Sequence, residues 1–396
     1  ANPLAIKIDP AEIEAITRAN LTNATNALFH EKINQDIICY VDKVTKEANE
    51  IMKYRIIAFE RLSHVIGSAY KSSQIKTKLY GSCATGLALN TSDVDIALHG
   101  LPVTDKSQVI DFLKTLQAKL ESFRWIKSIQ PVFTASIPVL KLEIDPSIDF
   151  HEADLEKDKT IRCVMEQTKK SKTEKLNLKK DDHERCVNIN VDLSIDYFDW
   201  VAGTAHLGGL STTFVQKVNE KYKSLYAVTM ILKKFLCQKG LLNAFQGGLS
   251  SYSLVVMLVA YFQKNPDQGL ATTFIDLLNF YGKKFEPQTT GINLNLSEQP
   301  FYKLAIADPV TPFYMYDTID FTRNIGQNSY KFKQIIAELA RIVDFFETFK
   351  STLYNVLDRI AWIPSKTLDD LKALNIPELA GYFENNLIEE IIFKPN

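Results

Sequence analysis

An α+β fold, with a sheet-bearing domain inserted into a mostly helical one, is what this chain predicts, and three observations carry it. From about Asn23 to Ser73 apolar residues recur at three and four, as in FHEKINQDIICYVDKV and YRIIAFERLSHVIGSAY, the period of a helix with one buried face. Then the texture changes to short apolar segments bounded by turn residues. After Thr213 the helical pattern dominates to the end.

Taken in order, IKTKLY reads as a strand, GSCATGLAL as a turn feeding a short helix, and DVDIALHG as a strand ended by Gly100. A helix follows over about Lys106 to Phe123, then strands at WIKSIQPV and SIPVLKLEI. The tract from about Asp145 to Arg185 contains KKSKTEKLNLKKDD, which is charged and too poor in large apolar groups to pack as core. Because VNINVDLSI resumes the β pattern at Val187, the tract reads as an insertion, about 145–185, between two adjacent strands. The expected division is a sheet-bearing domain over 50–212 and a helical domain of 1–49 plus 213–396. The N-terminal helix is expected to pack with the C-terminal half.

Composition limits the function. The length of 396 residues allows two domains, each with its own core. Basic and acidic residues balance at 46 and 47, whereas a protein that grips a long polyanion unaided carries a basic excess. Any nucleic-acid contact must then be a local groove or be shared with a partner. Five cysteines (39, 83, 163, 186 and 237) form no CxxC pair, which suits a reducing, intracellular compartment. The longest apolar run, roughly Tyr252 to Phe262, is too short to cross a bilayer, so no membrane partner is expected. The start, ANPLAIK, shows no signal pattern and no Met, so a targeting segment could have been removed.

The chemistry concentrates in KLYGSCATGLALNTSDVDIAL, Lys78 to Leu98. Asp93 and Asp95, at i and i+2 on an expected strand, point to one face. Two carboxylates about 7 Å apart on that face repel unless a positive charge lies between them. A divalent metal with hard-oxygen preference answers that need and borrows further ligands from phosphates. Gly81 permits close backbone approach, and N–H groups at a helix start attract phosphate. A lone DxD or a lone Gly-Ser is most often a solvated edge or a plain turn. The ordered combination is far more specific, and it describes a site for a metal–triphosphate complex.

This combination resembles the signature of the DNA polymerase β-like nucleotidyltransferase superfamily: G-S, a spacer, D-h-D, and a third carboxylate on a later strand. Asp192, in VNINVDLSI, matches the third position, with Glu143 and Asp145 as weaker candidates. Downstream, MILKKFLCQKGLLNAFQGGLSSYSLVVMLVAYFQ, GKKFEPQTTGINL and MYDTIDFTRNIGQNSYKF resemble the helical domain of non-canonical poly(A) polymerases and terminal uridylyltransferases. The likeness spans about Phe29 to Phe346, apart from the insertion. It is closest to the poly(A) polymerases of the nuclear RNA-surveillance (TRAMP) complex.

The resemblance implies a palm-type catalytic domain with a mixed sheet, and a template-independent RNA 3′-nucleotidyltransferase that adds AMP from ATP. UMP addition from UTP and a catalytically inactive scaffold are the alternatives. Asp93, Asp95 and Asp192 match the metal-binding carboxylates, for two Mg²⁺ or Mn²⁺ ions that lower the pKa of the RNA 3′-hydroxyl and steady the α-phosphate. By the same resemblance Gly81 and Ser82 contact the β- and γ-phosphates, and Lys234 binds the triphosphate as a point charge. Neighbouring Lys233 blurs that register by one, and Gln238 stands where some relatives carry a second lysine. Ser251 and Tyr252 match the family's Ser and base-stacking Tyr. Thr212 falls where many relatives place a ribose-contacting Asn. Base choice is expected in the loop about 308–330, around Asp317, Arg323 and Asn324. Arg323 occupies the position where uridine-specific relatives often carry a His, which favours ATP.

In the insertion, His151, Cys163, His183 and Cys186 offer zinc-ligand types at a spacing of no finger, so scattered residues in a solvated tract are expected. Its lysines (Lys169, Lys170, Lys172, Lys175, Lys179 and Lys180) could supply phosphate contacts, or lie in a disordered loop. The neutral charge and the resemblance together imply an RNA 3′ end as substrate, delivered by a partner protein that the resemblance makes a zinc-knuckle one. The resemblance alone implies a nuclear location, with a cytoplasmic or organellar one as the alternative.

Overall fold

The computed structural model describes residues 10–70, 74–148, 187–200, 202–296, 299–305, 310–360, 362 and 366–393. The four His and Cys residues and the six lysines singled out in the insertion lie outside these. The chain divides into two compact units, Val44–Glu220 and the combination of Ala1–Lys43 with Lys221–Asn396.

Helix α1, Pro10–Tyr70, contributes to both units. It begins well before the expected Asn23. Its first two turns carry Ile13 and Ile16 in solvent, so no buried face marks them in the sequence.

In the unit Val44–Glu220, β1 (Lys76–Tyr80), β2 (Val94–His99), β3 (Ile126–Val132), β4 (Val139–Ile144) and β5 (Ile189–Ile195) form a mixed sheet in the order β1-β2-β5-β4-β3. β2 and β5 run parallel, and the other neighbours are antiparallel. β4 and β5 are thus adjacent, and the charged tract connects them, as the interrupted β pattern implies.

Alternation gives the sheet two unlike faces. Val94, Ile96 and Leu98 of β2, with Val191, Leu193 and Ile195 of β5, face the core. Tyr54, Ala58, Leu62 and Ile66 of α1 cover them, together with Val109, Leu113, Leu116 and Leu120 of α3 (Lys106–Leu120). Those helix positions repeat at three and four and form one stripe. The opposite face carries Asp95 and Asp192, and the helix α2, Gly81–Thr85, joins β1 to the loop before β2.

The other unit is helical. α4 (Gly208–Lys221) ends at the boundary, and α5 (Leu225–Gln238), α6 (Ser251–Lys264), α7 (Leu270–Asn279) and α8 (Phe332–Arg359) follow. The apolar run Tyr252 to Phe262 is core of α6, and among the described residues no helix is long and apolar enough to cross a membrane. A π-helical turn, Phe280–Lys284, leads from α7. Its Tyr281 is fully buried and donates to the Met257 carbonyl, and Gly282 packs so close to α8 that a Cβ would lie 2.7 Å from the Ala340 nitrogen. The YGKKF block is therefore a packing device. The start of α1 does dock here: Phe29 meets Phe349 at 5.6 Å, and buried Asp36 accepts from Lys32 and from the Leu387 amide at 2.9 Å.

Candidate active site

In the sheet-bearing unit, the parallel register sets Asp95 directly beside Asp192. Asp93 is the residue before β2 rather than part of it. Its place is fixed from below. The Arg55 guanidinium, 2% exposed, donates through Nη2 to the carbonyls of Leu89 (2.7 Å), Asn90 (3.1 Å) and Ser92 (2.7 Å). Cys83 Sγ donates to the Asp93 carbonyl at 3.5 Å. A buried guanidinium spanning three carbonyls fixes the backbone that delivers Asp93. Sequence reading missed Arg55, which sits mid-helix with no motif to mark it.

Gly81 has φ +66, and a Cβ there would lie 2.2 Å from Asp95 Oδ2. Glycine is required twice, for the left-handed backbone and for the carboxylate's room. Its N–H donates to Thr212 Oγ1 at 2.8 Å, and that hydroxyl donates to the Gly208 carbonyl. Thr212 therefore braces the Gly81 turn, and the Gly81 amide is engaged within the protein. Gly81→Ala is expected to displace Asp95 and lower activity by about 10²-fold with the unit still folded. Circular dichroism and steady-state rates on one preparation check this.

Asp192 is held by Lys141 of β4, whose Nζ stands 2.9 and 2.7 Å from its two oxygens. Burial is the main influence on this carboxyl and raises its pKa, Lys141 opposes the rise, and Asp93 adds to it. A carboxyl raised in the folded state contributes stability below its unfolded pKa and loses it as pH climbs through the folded value. Lys141→Ala should raise the carboxyl further. The acid limb of the activity profile should then move to higher pH, and the loss of stability on leaving acid pH should deepen. Paired pH–rate and pH–melting series test both.

The other two acidic candidates are engaged elsewhere. Asp145 is buried and accepts from Ser147 N and Oγ, and Glu143 accepts from Asn188 Nδ2 at 2.7 Å. Among the described residues no three His, Cys, Asp or Glu side chains are gathered closely enough to hold one ion. The donors fit a hard divalent cation all the same. Mg²⁺ is usually bound by one or two carboxylates plus substrate phosphates, and the Lys141 ammonium already marks the place for a positive charge against Asp192.

In the helical unit, Lys234 and its neighbour Lys233 are both buried on α5 rather than solvated. Ser250 caps α6 by accepting from Ser253 N at 2.9 Å, which places Ser251 at the first helical position. Tyr252 donates to Asp317 Oδ1 at 2.8 Å and lies 2.7 Å from Thr318 Oγ1. Burial pushes its phenol pKa up strongly, so it stays a neutral donor. Asp317 is buried, also accepts from the Ile319 amide, and has Arg323 Nη1 at 4.0 Å. Arg323 itself is largely exposed. Asn324 behaves differently: its Oδ1 accepts from Met315 N and Gly326 N, and its Nδ2 donates to the Phe313 carbonyl. All of these contacts shape the loop. The helical-unit residues brought together are thus Tyr252, Asp317 and Arg323, with Asn324 as their brace.

The mixed sheet with its paired carboxylates has the fold of a nucleotidyltransferase palm domain, and the chain also carries a separate helical unit. Residues 33–174 match the family model of the mitochondrial-like poly(A) RNA polymerase central palm domain. Poly(A) RNA polymerase cid14 of Schizosaccharomyces pombe is 24% identical over 355 residues, 84% of this chain and 42% of that protein. The inactive non-canonical poly(A) RNA polymerase protein Trf4-2 of Drosophila melanogaster is 26% identical over 350 residues, 80% of this chain and 69% of that protein. In fold, the polymerase core of TRAMP, an RNA surveillance complex, superposes with a TM-score of 0.58 at 15% identity, covering 89% of this chain and 95% of that one. The Cid1 poly(U) polymerase follows with a TM-score of 0.54 at 15% identity, covering 78% and 93%. These likenesses support a relationship to the non-canonical poly(A) polymerases, carried by the palm-domain match and the two relatives. It spans less than half the length of cid14.

Proposed function

We propose that this chain is a template-independent RNA 3′-nucleotidyltransferase that adds AMP from ATP. The observation that carries the reading is Asp192 in parallel register with Asp95, beside the Gly81 turn that leaves Asp95 its room. Asp93, Asp95 and Asp192 would hold the divalent metal, which when bound supplies Lewis acidity toward the α-phosphate and the 3′-hydroxyl. The rest is positioning by the protein. Arg55 and Cys83 fix the approach to Asp93. Lys141, paired with half-buried Asp192, opposes the rise in pKa that burial imposes on that carboxyl and so favours its charged form. Ser82 and Lys234 are assigned to the triphosphate and Tyr252 to the base, which it would stack while its hydroxyl stays anchored on Asp317.

Adenine is favoured by Arg323, where uridine-specific relatives often carry His. Uridylylation is the second reading, and an inactive scaffold the third; all three carboxylates are present, which disfavours the last. Equal ATP and UTP offered in competition to one RNA primer separate the first two. Mainly AMP incorporation supports the proposal, and mainly UMP replaces it by the second reading. The small net charge also leads us to propose that a separate RNA-binding protein delivers substrate.

A further inference from the structure

We propose that Phe245 and Tyr330 form a stacking site for the bases of single-stranded RNA, a claim that rests on the RNA-directed activity proposed above. Phe245 is 82% exposed and Tyr330 65%, so the helical unit leaves both rings in water. Neither is on a loose segment. Phe245 belongs to the 3₁₀ turn Ala244–Gln246, capped by Asn243, whose Oδ1 accepts from Phe245 N at 3.0 Å. The Gly248 amide returns to the Asn243 carbonyl at 2.9 Å.

Tyr330 lies against Gly247, where φ is +81 and a Cβ would come 2.0 Å from the ring's Cε2. The Lys331 amide donates to the Gly247 carbonyl at 2.9 Å, tying the two segments together. Exposed rings on a backbone already held lose little freedom when a base stacks on them. The glycine gives the Tyr330 ring a flat seat that any side chain would remove.

Position and charge argue for RNA as the occupant. The turn carrying Phe245 runs through Gly248–Ser250 straight into Ser251 and Tyr252. Tyr330 closes the segment that opens with Asp317, the acceptor of the Tyr252 hydroxyl. Both rings therefore border the residues assigned to the incoming nucleotide. Lys331 and Lys333 follow Tyr330 in the chain, and neither has an ion-pair partner among the described residues. Aromatic rings beside cations suit a polyanion with stackable bases better than an apolar protein surface. The exposed pair Phe198 and Trp200, in the other unit, lies in a stretch with Asp196 and Asp199, whose charge disfavours phosphate. Stacking accepts every base, which is what a primer site needs while a tail of any sequence context is extended.

The test is anisotropy of a fluorescein-labelled 15-mer single-stranded RNA on the full chain, for wild type, Phe245→Ala, Tyr330→Ala and Phe245→Trp. Nucleotide KM and melting temperature are measured alongside. Each alanine variant should weaken RNA binding by about tenfold. Phe245→Trp should retain it, and nucleotide KM and melting temperature should hold. If removing Tyr330 from its glycine seat unfolds the unit, Phe245→Ala decides alone. Wild-type RNA affinity and RNA KM in an alanine variant of an enzyme that does extend RNA would overturn the stacking site while leaving the function standing. Loss of a protein partner at unchanged RNA affinity would overturn it as well. A wild type that neither binds nor extends RNA would defeat both claims.

Discussion

Asp95→Ala is expected to lower RNA extension by about three orders of magnitude or more, with little change in melting temperature. The side chain lies on the face of β2 opposite the core, so its removal opens no cavity among Val94, Ile96 and Leu98. What is lost is one of the carboxylates that would hold the divalent cation, an interaction worth several kcal/mol at the transition state. The unliganded protein should tolerate the change well. Asp95 sits beside Asp192 in register, and burial already works against ionised Asp192. Removing a neighbouring negative charge relieves the folded state. Single-turnover extension and thermal melting on one preparation check both halves. An inactive and unfolded variant would count against the separation of core and site faces described here.

Arg55→Ala carries the second large effect, and it reverses the order of stability and activity. The guanidinium is buried and reaches three carbonyls through one nitrogen, while Nε and Nη1 have no hydrogen-bond partner among the described residues. Alanine would take this donor from three carbonyls, of which that of Leu89 still accepts from the Ser92 amide, and open a cavity beneath the loop. Hydrogen bonds to a charged group contribute about 1.5–3 kcal/mol each, discounted here because one nitrogen serves all three, so a loss of about 3–5 kcal/mol is expected. In the fraction that remains folded, the entry to Asp93 is loosened and kcat should fall before nucleotide KM rises. Arg55→Lys should recover part of the stability, since an ammonium can satisfy fewer of the three carbonyls at that reach. Urea unfolding of the three proteins, with kcat taken well below the melting range, distinguishes these outcomes.

Much of this was legible in the sequence, for stated reasons. The β1–α2–β2 passage is local: alternation, a left-handed glycine and a short helix follow one another within about 25 residues. Asp192 was harder, because its partner in space is some hundred residues away across the charged tract. Its place on a strand after SIPVLKLEI and the likeness of VDLSI to the family's D-I-S-F strand point to it, and the parallel register with Asp95 is the physical content of that hint. Glu143 and Asp145, nearer in sequence, are engaged by Asn188 and Ser147.

What was not legible is the supporting layer. Lys141 reads as an ordinary strand lysine until β4 is laid antiparallel to β5 and its register falls on Asp192. Thr212 and Asn324, expected to touch the nucleotide, spend their polar atoms on Gly81, Gly208, Met315, Gly326 and Phe313. Sequence identifies polar residues near a site. It does not say whether their hydrogen bonds go to ligand or to backbone, because that depends on long-range packing.

The central claim is metal-dependent, template-free addition of nucleotides to RNA at the Asp93, Asp95 and Asp192 face. Extension of a labelled single-stranded RNA with each of the four NTPs separately, in Mg²⁺ and then Mn²⁺, tests it most directly, with Asp93→Ala beside the wild type. The account predicts a ladder with ATP that disappears in the mutant and in chelator. A ladder that survives Asp93→Ala, or folded wild-type protein that extends RNA with none of the four nucleotides in either metal, would contradict it.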